Sequence, residues 1–176
     1  MTEELKPKVT KYLYLVTLLT YLFCHIDLGI FAVSNDAIKK LLGGISDNDM
    51  GLLASGLYFG NVVGSILCPA LFANMKAKHI LVIAAVMNGL CCSLFTFVTQ
   101  YWILFGSRVL VGFFQVMFII YLPVWIDQHA PLPSQTMWIS CFFLTVPLGL
   151  ILGYTVTNFV MDSDSESENF KWCFLL

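Results

Sequence analysis

The sequence predicts an all-α integral membrane protein, and three observations carry that reading. Of 176 residues, 59% are hydrophobic and only 11% charged, where a water-soluble domain carries roughly 25% charged residues. The mean hydropathy is +0.83, and the apolar residues gather in runs of about 20, the length a helix needs to cross a hydrocarbon core about 30 Å thick. None of these runs keeps a period of two, and an open sheet would leave its edge groups unpaired in lipid.

Five complete spans are expected. The first, Tyr12–Val33, follows a flank, residues 1–11, that carries Lys6, Lys8 and Lys11. At about twenty residues, with no small-x-small cleavage site after it, this run reads as a retained span rather than a signal peptide. The second, Met50–Ala73, is entered through Asp47-Asn48-Asp49, side chains suited to capping a helix start. The third, His79–Val98, follows the short turn Asn74-Met75-Lys76-Ala77-Lys78, and the fourth, Trp102–Ile126, follows Thr99-Gln100-Tyr101. Links this short force neighbouring spans antiparallel. The fifth is Thr136–Met161. An acidic, Ser-rich segment, 162–169, reads as a solvated loop, and residues 170–176 open a sixth span that stops at Leu176. Five Lys (Lys6, Lys8, Lys11, Lys76, Lys78) lie on the amino-terminal side against three (Lys39, Lys40, Lys171) on the other. That split places the N-terminus in the cytosol.

Several function classes fall away. The net charge is −2 without a basic block, so nothing points to a nucleic-acid partner. The six cysteines lie in or beside apolar runs, with no C-x-x-C and no His at ligand spacing, and read as small buried hydrophobes. No metal or cofactor is expected. No Ser/His, paired-aspartate or H-E-x-x-H arrangement supports an enzyme, so no catalytic residue is assigned.

The informative residues are the polar ones inside the spans. An ionised side chain at membrane depth costs at least about 2.5–3.5 kcal/mol, so it seeks a partner or a polar cavity. Asp27, in the stretch Cys24-His25-Ile26-Asp27-Leu28-Gly29, lies six residues before the end of the first span. Arg108, the one arginine of the chain, lies six residues after the start of the fourth. Both are therefore roughly 9 Å inside the same membrane face and can form a buried pair; a free proton carrier at Asp27 is the competing reading. Arg108, Gly112 and Gln115 follow at i, i+4 and i+7 and form one stripe. His25 is about 160° around the helix from Asp27 and so stands apart from the pair, as hydrogen-bonded packing or as a relay. Asn61, Gln115 and Tyr121 are further candidates for a solute pathway. Gly56, Gly60 and Gly64 recur at every fourth residue of the second span, and Gly149 and Gly153 stand beside Pro147 in the fifth. Such faces allow close helix approach, either as plain packing or as surfaces on which helices rock.

Two of these motifs carry a resemblance. Arg108-Val-Leu-Val-Gly112 resembles the R-x-x-x-G signature of the fourth span in the major facilitator superfamily, and Ala70-Leu-Phe-Ala-Asn74-Met-Lys76-Ala-Lys78 sits where that superfamily carries G-x-L-a-D-r-x-G-r-k. Asn74 replaces the aspartate and Ala77 the second glycine. Within the superfamily the chain is similar to Spinster-like transporters of the protozoan type, through Asp27, Gly51-Leu-Leu-Ala-Ser55, Tyr121-Leu-Pro123-Val-Trp125-Ile-Asp127, Pro147-Leu-Gly149 and Gly153-Tyr154. It departs from them at Leu28, where many members have Arg, and near Gln115, where they carry an acidic residue.

The resemblance implies the N-terminal six-helix half of a twelve-helix fold, its sixth helix truncated, with substrate bound between two halves near the midplane. It implies a secondary active transporter, here a fragment, that moves a small organic or lipid-like solute by alternating access. The implied partners are membrane lipid, the solute, a proton as candidate coupling ion and the missing C-terminal half. The alternative is a transport-incompetent interaction or regulatory module that keeps one half of the fold.

Overall fold

The computed structural model describes residues 7–163 together with 173 and 174. The expected acidic loop from 164 onward, and the expected start of a sixth span apart from Cys173 and Phe174, lie outside the described residues. The described elements are α1 (Pro7–Val33), α2 (Asn35–Leu41), α3 (Asp47–Asn74), α4 (Ala77–Phe97), α5 (Tyr101–His129), a single 3-10 turn (Leu132–Ser134) and α6 (Gln135–Ser163). Five of them, the helices α1, α3, α4, α5 and α6, are long and apolar enough to cross a membrane.

The ends of the helices follow local chemistry. The connection between the first two long helices contains the short helix α2. It stops at Gly43 and Gly44, both at φ +80°, where Gly44 N–H donates to the Lys39 carbonyl and Gly43 N–H to that of Lys40. This is the paired closure that a left-handed residue allows and that glycine reaches without strain. Helix α3 opens on Ser46, whose hydroxyl accepts from Asp49 N–H at 3.2 Å, and Asp47 and Asp49 complement the positive end of the helix. Lys39 Nζ donates to Asp47 across the link at 2.6 Å. Hydrogen bonding to Asp47 raises the Lys39 pKa, and the same bond lowers that of Asp47.

Packing is organised as two helix pairs and a cover. Helix α3 lies along α5, α1 lies along α6, and α4 covers another side of α5. The buried residues of α3, namely Met50, Leu53, Gly56, Leu57, Gly60, Gly64 and Cys68, recur at three and four and so define one face. On α6 the same spacing picks out Phe142, Thr145, Gly149, Gly153 and Thr157. Helix α5 is enclosed more completely, with buried residues from Leu104 to Ile126 around much of its girth. One apolar cluster centres on Tyr21, Phe118, Trp138 and Phe142, another on Ile30, Leu53, Phe95, Leu104 and Phe174. Outward faces carry large apolar side chains such as Phe59, Ile66, Phe97 and Phe159, the composition a lipid-facing surface requires.

Candidate functional site: a buried arginine and its carboxylate

Asp27 and Arg108 meet. Arg108 Nη1 donates to Asp27 Oδ2 at 2.8 Å, and the two side chains are 2% and 6% exposed. Antiparallel passage of α1 and α5 brings the last turns of one beside the first turns of the other. An arginine partnered in this way avoids much of the cost of an isolated charge at membrane depth.

Gln115, two helical turns further along α5, completes the arrangement. Its amide Nε2 donates to the Cys24 carbonyl oxygen at 2.5 Å and to Asp27 Oδ1 at 3.3 Å. Both oxygens of the carboxylate therefore accept from α5. The remaining guanidinium surface is met by aromatic rings. Arg108 Cζ stands 4.0 Å from the Phe31 ring centre, 4.5 Å from that of Phe95 and 5.8 Å from that of Phe174. Arg108 Nε and Nη2 have no hydrogen-bond acceptor among the described residues, and the negative ring faces supply attraction there.

A cavity of about 230 Å³ between α1 and α4 is lined by Thr20, Asp27, Asn88 and Ser93, with Cys173 and Phe174 at its edge. On the other side, a cavity of about 240 Å³ among α1, α3 and α6 is lined by Leu28, Leu57, Tyr58, Arg108 and Leu150. The ion pair thus forms part of the partition between two cavities, with the carboxylate facing one and the guanidinium the other.

The other candidates are distributed. His25 is buried, its Nδ1 2.9 Å from the Tyr21 carbonyl and its ring edge-on to Tyr21, on the side of α1 that meets Gly149 of α6. Asn61 is half-buried where α3 meets Gly112. Tyr121 stacks on Phe72 with ring centres 4.9 Å apart and lines an apolar groove of about 370 Å³ that also reaches Thr20 and Lys78. At the turn after α3, Asn74 donates back to the Ala70 carbonyl, while Asn74, Lys76 and Lys78 are exposed. Pro147 lies inside α6.

The glycines sit at two crossings. A Cβ placed on Gly60 would lie 1.9 Å from the Val109 carbonyl oxygen, and one on Gly112 1.9 Å from that of Leu57. At the other crossing, a Cβ on Gly153 would lie 2.1 Å from the Ile26 carbonyl oxygen, and one on Gly29 2.2 Å from that of Leu150. A Cβ on Gly64 would lie 2.5 Å from Val116 Cγ1 and 2.9 Å from the Phe113 carbonyl oxygen, while one on Gly56 would meet a milder crowding, 3.2 Å from the Phe105 ring and 3.5 Å from Arg108 Cβ.

Sequence reasoning missed Gly29, the three phenylalanines around Arg108, and Asn88. Phe31 lies one helical turn beyond Asp27, a spacing that could have placed it near the arginine. Among the described residues no three His, Cys, Asp or Glu side chains converge to hold a metal ion.

The sequence profile of the Major Facilitator Superfamily matches residues 17–176. Two curated proteins of Arabidopsis thaliana are similar to the chain. One, described as probable sphingolipid transporter spinster homolog 3, is 26% identical over 128 residues, covering 73% of this chain and 23% of that protein. The other, probable sphingolipid transporter spinster homolog 1, is 22% identical over 126 residues, covering 72% of this chain and 25% of its own length. The matched region spans about a quarter of each relative.

Proposed function

Because the chain belongs to the major facilitator superfamily, a family of transporters, we propose that it forms the N-terminal part of a secondary active transporter for a small organic or lipid-like solute. In this reading the solute moves by alternating access, with the described helices rocking against a C-terminal half and the N-terminus in the cytosol. The lipid-like class comes from the names of the two relatives. The observation that carries the reading is the Asp27–Arg108 pair set between two cavities. A paired charge dividing two polar-edged spaces suits a pathway better than an anchor, since polar groups within a membrane cluster where a route or a cavity exists.

Each part has a role. Arg108 and Asp27 join α1 to α5 near one membrane face, Gln115 and Asn61 offer polar contacts along α5 and α3, and the glycine crossings let two helix pairs turn as bodies. The test is uptake of a panel of radiolabelled single-chain lipids and small organic ions into membrane vesicles from cells expressing the chain together with the C-terminal half it is proposed to rock against, compared with the same pair carrying Arg108→Leu. Saturable uptake of one solute, lost in the variant, supports the proposal. No variant-dependent uptake across the panel, with wild-type protein present in the vesicles, favours the interaction-module alternative. Orientation is tested separately by cysteine labelling in intact cells, where a cysteine at Ser46 should react and one at Lys8 should not.

A further inference from the structure

We propose that Gln115 is a positioning residue that keeps Asp27 ionised and aimed at Arg108, so that this centre carries no proton. The inference rests on the transporter reading only in calling the centre part of a pathway; its geometry stands without it.

The primary observation is the double donation by one amide. Gln115 Nε2 gives one hydrogen to the Cys24 carbonyl and the other to Asp27 Oδ1, while Arg108 Nη1 supplies Oδ2. A carboxylate that accepts on both oxygens is matched to its partners only in the ionised form. A proton on Oδ1 would set O–H against N–H. An amide can ordinarily answer such a change by turning its own oxygen toward the new donor. Here it cannot do so without cost, because the Cys24 carbonyl can only accept. If the amide turned, its oxygen would face that carbonyl at hydrogen-bond distance, two acceptors with no proton between them. The backbone of α1 therefore fixes the sense of the Gln115 amide, and the amide fixes the protonation state of Asp27. Gln115 is 1% exposed, so water has little access to substitute for either bond.

Burial by itself disfavours a charge on Asp27, and the charged and hydrogen-bonding groups around it are what oppose that cost. Arg108 approaches from α5; His25 and Cys24 lie on α1 itself; Cys92 approaches from α4; and Cys173 shares the cavity wall. Arg108 is the group among them that touches the carboxylate, and it favours the ionised form.

The test is infrared spectroscopy of the purified chain in lipid bilayers, following the carbonyl stretch of a protonated carboxylic acid across roughly pH 5 to 8, with Asp27→Asn to assign the band. Wild type should show no Asp27 band anywhere in that range. Gln115→Leu removes the donor but keeps the bulk, so the band should appear and grow as pH falls. Gln115→Glu sets a second carboxylate against the first. Two such groups cannot both ionise at this separation, so a protonated-carboxyl band absent from wild type should be present throughout. A wild-type Asp27 band, a folded Gln115→Leu protein that shows none as pH falls, or a Gln115→Glu protein without a protonated carboxyl overturns the proposal. The Glu variant decides the matter if the Leu variant fails to fold. Because the readout is a vibrational band rather than uptake, its failure is separate from failure of the transport reading.

Discussion

The two helix crossings can be laid over one another residue for residue. Where α3 meets α5, Gly60 faces Val109 and Gly112 faces Leu57; where α6 meets α1, Gly153 faces Ile26 and Gly29 faces Leu150. The interval from Val109 to Gly112 equals that from Ile26 to Gly29, and Leu57 to Gly60 equals Leu150 to Gly153. One turn earlier the match continues, with Gly56 beside Arg108 and Gly149 beside His25. The same backbone solution thus occurs twice, but one copy carries a guanidinium where the other carries an imidazole. The difference lies in what surrounds each crossing. Helix α5 is also covered by α4 and reached by α1, so Arg108 finds a carboxylate and aromatic rings, while His25 finds the Tyr21 carbonyl of its own helix. The lesson is that glycine spacing sets how closely helices approach, and the neighbours on the remaining sides set which polar group can live there.

The largest test of this comparison removes one member of the pair. Asp27→Asn or Arg108→Gln alone should cost about 3–5 kcal/mol, because each strands a buried group. The double variant should lose much less than the sum. Thermal unfolding in detergent measures all three, and additive losses would show that the α1–α5 contact is not what lets the α5 crossing hold its arginine.

Next in size is the reciprocal exchange, His25→Arg. The α1–α6 crossing offers the new guanidinium no carboxylate of its own. The variant should therefore lose about 2.5–3.5 kcal/mol, the insertion cost of an unpartnered arginine. Folded yield by gel filtration at wild-type level would break the comparison.

A methyl group probes the shared backbone geometry. Gly60→Ala, Gly112→Ala, Gly29→Ala and Gly153→Ala each drive a Cβ into a carbonyl oxygen, an overpacking worth about 1–3 kcal/mol. Losses should be similar at the two crossings. Gly89→Ala and Gly106→Ala, with nothing within 4 Å of the new Cβ, should leave the unfolding midpoint unchanged or raise it slightly, since alanine is the better helix former. A large loss at one crossing and none at the other would show that only one is tightly packed.

The smallest effect belongs to the strap that joins the two helix pairs, where Lys39 meets Asp47 in an exposed pair. The Asp47 pKa is lowered, so its contribution is present above the ordinary carboxylate range and lost as pH falls through the lowered value. The Lys39 pKa is raised, so its contribution is present below the ordinary lysine range and lost as pH rises through the raised value. Lys39→Met should therefore shift the unfolding midpoint only marginally at neutral pH, with the shift fading in high salt.

Much of the site was legible in the amino-acid sequence. A single arginine and a single intramembrane aspartate at matching depth in antiparallel spans leave few other ways to neutralise either charge. The aromatic enclosure was not legible, because the chain has 15 phenylalanines and nothing in their spacing singles out Phe95 or Phe174. Gly29 was passed over for a related reason. It has no glycine four residues away on its own helix, and its importance comes from Gly153 on another.

By itself the sequence determined the membrane-embedded helical class, the antiparallel order of the spans, and the need for Asp27 and Arg108 to find partners. Length, apolarity and the cost of a bare charge in hydrocarbon are properties of each segment wherever it packs. The tertiary structure alone decided which glycines touch which carbonyls, that the Gln115 amide bridges Cys24 and Asp27, and that Arg108 lies among three phenylalanine rings while His25 packs on Tyr21 of its own helix. Those outcomes depend on how far each helix is rotated about its axis and where it crosses its neighbour, and one residue of sliding would exchange a glycine for a side chain at every contact.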